Sequence, residues 1–165
     1  MVEVRLAAVQ VDVQSNTPVL LLTETGAGGR TLPIFIGAPE ATAIAFAVQG
    51  VTTPRPMTHD LLRDVLEGLH ARMERVVITE LRSSTYFAEL HLVHGTTTVQ
   101  ISARPSDAVA MAVRTGCPLF VSDELMDAEA VLLPEPQTDD EVNPDELVGQ
   151  FRQFLDEVRP EDFSS

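Results

Sequence analysis

Apolar and polar residues alternate from Val2 to Val13, with Val2, Val4 and Leu6 in one phase and Val9, Val11 and Val13 in the other. A strand with a bulge at Ala7-Ala8 absorbs that change of phase. Val19–Thr23 and Leu32–Ile36 predict two further strands, separated by a turn built on Gly26, Gly28 and Gly29. Residues 39–49 are apolar nearly all round and predict a buried helix ending at Gly50. Pro54 and Pro56 make the next stretch an extended connector. Thr58 is placed to cap a second helix, whose apolar stripe is Leu61, Leu62, Val65, Leu66 and Leu69. Strands are expected at Arg75–Leu81, Thr85–Val93 and Thr96–Ser102. After them come a helix capped by Ser106 and ending at Gly116, a short strand near Pro118–Val121 and a helical turn at Asp123–Asp127.

Residues 134–142 hold Pro134, Pro136 and several acids, and read as a linker. From 143 onward, Asn143-Pro144-Asp145-Glu146 has the form of a helix start, and Leu147, Phe151, Phe154, Leu155 and Val158 fall on one face. An acidic amphipathic helix is therefore expected over 143–165, docked on its own body or on a partner. The body itself, 1–133, repeats weakly at an offset of 67: Val9 meets Val76, Val11 meets Ile78, Ile34 meets Ile101, and Glu40 meets Asp107. Duplication and coincidence both account for matches this sparse. Strands interrupted by helices predict an α+β fold. Its sheet would be mixed or antiparallel with buried helices, as two β-β-β-α repeats if the duplication is real.

Charge sharpens this division. Of the −14 total, residues 1–120 carry 9 Arg and 11 acids, whereas 121–165 carry 2 Arg and 14 acids. The body is nearly neutral, so the overall acidity does not exclude nucleic acid from meeting it. One cysteine, Cys117, leaves no internal disulfide, and no apolar run is long enough to span a bilayer. A cytoplasmic protein without membrane partners is expected. His91 and His94, three apart on a strand, fall on opposite faces and are expected to be surface residues rather than metal ligands.

Three polar clusters interrupt the apolar body: Gly37-Ala38-Pro39-Glu40, Pro54-Arg55-Pro56-Met57-Thr58-His59-Asp60, and Ala103-Arg104-Pro105-Ser106-Asp107. Each places a carboxylate in the first turn of a helix. Phosphodiester hydrolysis needs charge neutralisation, an activated water and a proton for the leaving oxygen. Arg55 and Arg104 suit the first need. His59 suits proton transfer. Glu40, Asp60 and Asp107 are of the type that gathers Mg²⁺ or Mn²⁺ or orients water. The same carboxylates are equally accounted for as helix-start residues stabilised by the dipole and paired to arginine.

With Leu32-Pro33-Ile34-Phe35-Ile36-Gly37 and Glu40-Ala41 ahead of them, the second cluster with Leu61-Leu62, and the third with Ala108, the chain resembles the bifunctional nuclease domain family over about residues 1–133. The resemblance implies an α+β domain with DNase and RNase activity, occurring in bacteria and plants. Carried over by position, its motif residues are Glu40, Arg55, Thr58, His59, Asp60, Arg104, Ser106 and Asp107. Thr58 and Ser106 would join the two arginines at phosphate. Two readings follow. One is a nuclease of low sequence specificity acting on DNA and RNA. The other is a non-enzymatic module that binds a small anion or a partner, with the clusters as structural ion pairs. A homo-oligomer is compatible with either.

Overall fold

In the computed structural model, residues 1–26 and 28–132 are described; the linker and acidic helix expected at 134–142 and 143–165 lie outside the described residues. Two three-stranded meanders, each followed by a helix, build the body. The first comprises β1 (Val2–Asp12), β2 (Thr17–Glu24), β3 (Arg30–Phe35) and α1 (Ala38–Val48). After α2 (Thr58–Gly68), the second comprises β4 (Ala71–Arg82), β5 (Thr85–His94), β6 (Thr97–Ala103) and α3 (Pro105–Thr115). Shifting α1 by 67 positions lands it on α3 end for end, and β3 falls on 97–102, within β6. The offset seen in the sequence is thus a repeat of architecture, with α2 as the inserted element. β7 (Leu119–Val121), α4 (Asp123–Glu129) and β8 (Val131–Leu132) complete the described chain.

All eight strands join one sheet in the order β6-β5-β4-β7-β1-β2-β3-β8. Within each half the pairing is antiparallel. β7 links the halves, antiparallel to β1 and parallel to β4, so the sheet is mixed. The phase change in β1 is a register shift between Leu6 and Ala8, where the bulge was expected. Leu20, Leu22, Leu32, Val76 and Ile78 form the strand side of the core, and Ile44, Ala108, Val109 and Met111 the helix side. Small residues such as Ala41, Ala45, Ala108 and Ala112 let α1 and α3 approach each other closely above the sheet.

Several expectations need correction. α2 begins after Met57, not Thr58, and α3 after Arg104, not Ser106. Pro105 takes the first helical position of α3, where its missing N–H costs nothing, and this moves the cap upstream of Ser106. Among the described residues the apolar stripe of α2 packs into no core: Leu61, Leu62, Val65 and Leu69 are all exposed. β4 starts four residues earlier than expected, because Ala71–Met73 pairs with Leu92–His94. His91 is buried beside Arg75 and Gln100 of the neighbouring strands, with Nε2 3.2 Å from Glu89, so it is no surface residue. No helix among the described residues is long and apolar enough to cross a membrane.

Candidate active site

Three helix starts carry an acid at their third position: Glu40 in α1, Asp60 in α2 and Asp107 in α3. Carboxylates are favoured there by the positive end of the helix dipole. The fold uses them differently. Asp60 turns toward the protein: its Oδ2 accepts the backbone N–H of Met57 at 3.1 Å, and its Oδ1 accepts Nε of Arg114 at 2.7 Å. The Arg114 side chain is only 4% exposed and also donates to the carbonyls of Ala43 and Ala110, so one guanidinium ties α1, α2 and α3 together. The hydrogen bond from Arg114 holds the Asp60 carboxyl below the ordinary aspartate value. Arg114 was not among the sequence candidates. A cation in the last turn of a helix is explained by the dipole alone, and the sole signal was an arginine in an apolar stripe.

Asp107 and Glu40 instead face each other through Arg104. Arg104 donates from Nε and Nη2 to Asp107 at 2.7 and 3.1 Å, and from Nη1 to Glu40 at 2.8 Å. Gly37, the α1 cap, stands in the repeat position of Arg104. Its φ of −75° suits any residue, but a Cβ there would run into the Glu40 carboxylate. Glycine is needed for that space, which lets Glu40 fold back within reach of Arg104.

On the other side of Asp107, Nε2 of His59 lies 3.0 Å from Oδ1. Burial pushes the Asp107 carboxyl up, but hydrogen bonds from Arg104 and His59 outweigh it and keep the group below the ordinary aspartate value. An ionised carboxylate only accepts hydrogen bonds, so Nε2 carries the proton. The lone pair of neutral His59 is then on Nδ1, which has no hydrogen-bond partner among the described residues. The two acidic neighbours hold Arg104 above the ordinary arginine value. Among the described residues three of its five N–H donors are engaged, and the exposed side chain has two further N–H groups to offer an oxyanion.

Glu40, Thr58, His59, Arg104 and Asp107 together line a cleft of about 300 Å³. Glu40 and Arg104 also form one wall of an adjoining cleft of about 350 Å³, which takes in Ser106, Phe35 and Tyr86. Of the residues singled out in the sequence, Arg55 and Asp60 line neither cleft. Arg55 is exposed in the connector before α2, and its carbonyl accepts the Thr53 hydroxyl. Among the described residues no three His, Cys, Asp or Glu side chains assemble into a group able to hold a metal ion. Arg104 fills the place between Glu40 and Asp107, and Asp60 faces Arg114. Held this way, the three carboxylates do not fit a divalent cation. Cys117 is half-buried, and burial pushes its thiol up, away from nucleophilic use.

The fold and site together are those of an α+β protein with its polar residues gathered where the helices of an internal repeat begin. The chain belongs to the bifunctional nuclease domain family, which matches residues 19–134. An uncharacterized protein of Mycobacterium tuberculosis is 43% identical over 167 aligned residues, covering 99% of this chain and 98% of the relative. That alignment takes in the acidic C-terminal stretch as well. Bifunctional nuclease 2 of Arabidopsis thaliana is 28% identical over 113 residues, covering 67% of this chain and 34% of the plant protein. Bifunctional nuclease 1 of Oryza sativa subsp. japonica is 26% identical over 94 residues, covering 55% and 28%. The chain thus aligns with about a third of the plant proteins' length.

Proposed function

We propose that this protein hydrolyses phosphodiester bonds of DNA and RNA with low sequence specificity, using the cleft between the starts of α1, α2 and α3. The observation that carries the proposal is the His59–Asp107 pair beside an exposed Arg104 in one cleft. Asp107 orients the imidazole and holds the proton on Nε2, which leaves Nδ1 to take a proton from water as its oxygen bonds to phosphorus. The ester P–O bond breaks, the leaving oxygen takes a proton from solvent water, and His59 returns its proton to solvent. Developing charge on the phosphoryl oxygens is met by the two outward N–H groups of Arg104. Glu40 positions Arg104 from the other side, and Thr58 in the first cleft and Ser106 in the adjoining one would supply hydroxyls to phosphate. Asp60 positions the start of α2 through Arg114 and does not touch substrate. Plant relatives named bifunctional nucleases support the substrate class.

A second reading is favoured by one observation: Arg104 is already paired to two carboxylates, as in a module that binds an anion without cleaving it. The experiment that separates the two incubates purified protein with single- and double-stranded DNA and RNA in Mg²⁺, in Mn²⁺ and in chelator. Strand cleavage supports the nuclease. Binding without cleavage in all three conditions supports the module. A divalent cation would have to displace Arg104 from Glu40 and Asp107, so strict metal dependence would show that Arg104 moves in the working enzyme.

A further inference from the structure

The internal repeat supplies its own control for the two ends of the first and second meanders. β3 and β6 are the third strands of their halves, related by the offset of 67. β3 is protected. β8 pairs with it at Arg30 and Thr31, the Arg30 guanidinium ties it to Asp127 of α4, and Pro33 offers no N–H to a passing strand. Its inward residues Leu32 and Ile34 are 0% and 2% exposed.

Among the described residues β6 has none of these devices: it is the terminal strand of the sheet, paired to β5 on one side alone. Thr97-Thr98-Val99-Gln100-Ile101-Ser102-Ala103 contains no charge and no proline, and its first six residues are all exposed. Val99 and Ile101 stand at the repeat positions of Leu32 and Ile34, yet are 43% and 45% exposed. Gln100 stands where the first half has Pro33. A long, uncharged edge with β-branched apolar residues is what folded proteins ordinarily block.

We propose that β6 is a self-association edge, on which a second copy of this chain adds its own β6 antiparallel about a two-fold axis through Gln100. A second copy is the occupant because the edge is complementary to itself. Pairing centred on Gln100 sets Val99 opposite the partner's Ile101 and Ile101 opposite the partner's Val99, the apolar pairs on one face. The absence of charge also matters in a chain with a formal charge of −14, because two copies meet there without placing like charges across the seam. Seven paired residues bury less than the ~800 Å² per partner of a standard interface, so the association is concentration-dependent. β6 runs directly into Arg104, so the partner strand ends beside the cleft.

Sedimentation equilibrium on the full chain, over a hundredfold range of concentration, tests it. The expected result is a shift from 18.0 kDa toward twice that mass as concentration rises. Gln100→Pro installs the block that the first half already carries in β3, and Ile101→Lys places a charge at the seam. Each is expected to weaken association at least tenfold while leaving the far-ultraviolet circular dichroism unchanged. If one variant misfolds, the other still reports. A wild-type chain that stays at 18.0 kDa throughout, or oligomers equally strong in a folded variant, would overturn the proposal.

Discussion

Replacing Asp60 is the perturbation that best separates a structural from a catalytic carboxylate. In Asp60→Ala the buried Arg114 guanidinium keeps two carbonyl acceptors, Ala43 and Ala110, and loses its counter-charge. The Met57 N–H at the start of α2 loses its acceptor as well. Breaking a fully buried pair by removing one partner costs about 3–5 kcal/mol. Here Asp60 is 26% exposed, so solvent takes up part of that, while the lost charge-assisted bond alone is worth about 1.5–3 kcal/mol. Adding a share of the roughly 1 kcal/mol typical of a helix cap gives a destabilisation of about 2–4 kcal/mol. For a domain of this size that lowers Tm by roughly 6–15 °C. Asp60→Asn keeps one oxygen acceptor and falls at the low end. Adding Arg114→Met to Asp60→Ala removes the stranded charge and recovers part of the loss, a non-additivity that calorimetry reads as a coupling energy. A Tm for Asp60→Ala within about 2 °C of wild type, with hydrolysis abolished, would refute the structural assignment and return Asp60 to the reaction.

Three further outcomes follow from the same geometry. Asp107→Asn takes the charge from the acceptor of His59 Nε2 and loosens Arg104; kcat should fall about 10²-fold or more and the KM for nucleic acid should move with it, measured by steady-state kinetics on a short oligonucleotide. Gly37→Ala meets no backbone obstacle but drives Glu40 from its place, so Tm should change by less than about 3 °C while the KM for nucleic acid moves, because Arg104 loses one of its two anchors. Acid should destabilise the fold through groups whose folded values lie below the ordinary aspartate value. Asp60 and Asp107 contribute stability that is present above that value and lost as pH falls below it toward their folded values. The Tm measured from pH 7 to pH 2.5 should therefore drop steeply below about pH 4, with a shallower drop in Asp60→Asn.

Much of the architecture was legible because it is local. Period-two alternation marks β1 and its bulge, the apolar run marks α1, and the offset of 67 marks the repeat. What was not legible depends on distant partners. β8 is two residues long and exists because Arg30 and Thr31 offer an edge, and the parallel β4–β7 pairing joins segments about 40 positions apart. The stripe of α2 announced an apolar face, but amphipathicity does not say what covers it, and none of these residues is buried in the described structure. Motif grouping picked out Glu40, His59, Arg104 and Asp107, since charged residues beside proline and glycine at helix starts are unusual in an apolar body. It could not separate Asp107 from Asp60. Both sit third in a helix; only the fold shows that one meets His59, 48 positions away, and the other meets Arg114, 54 positions away.

His59 is the proton-transferring group of the proposed nuclease. The most direct test of that role is the rate of DNA and RNA cleavage by wild type and His59→Ala under matched conditions, with Tm recorded for both. Cleavage by wild type that falls about 10²-fold or more in His59→Ala, at a nearly unchanged Tm, is the predicted result. Cleavage within twofold of wild type in a folded His59→Ala protein would contradict it.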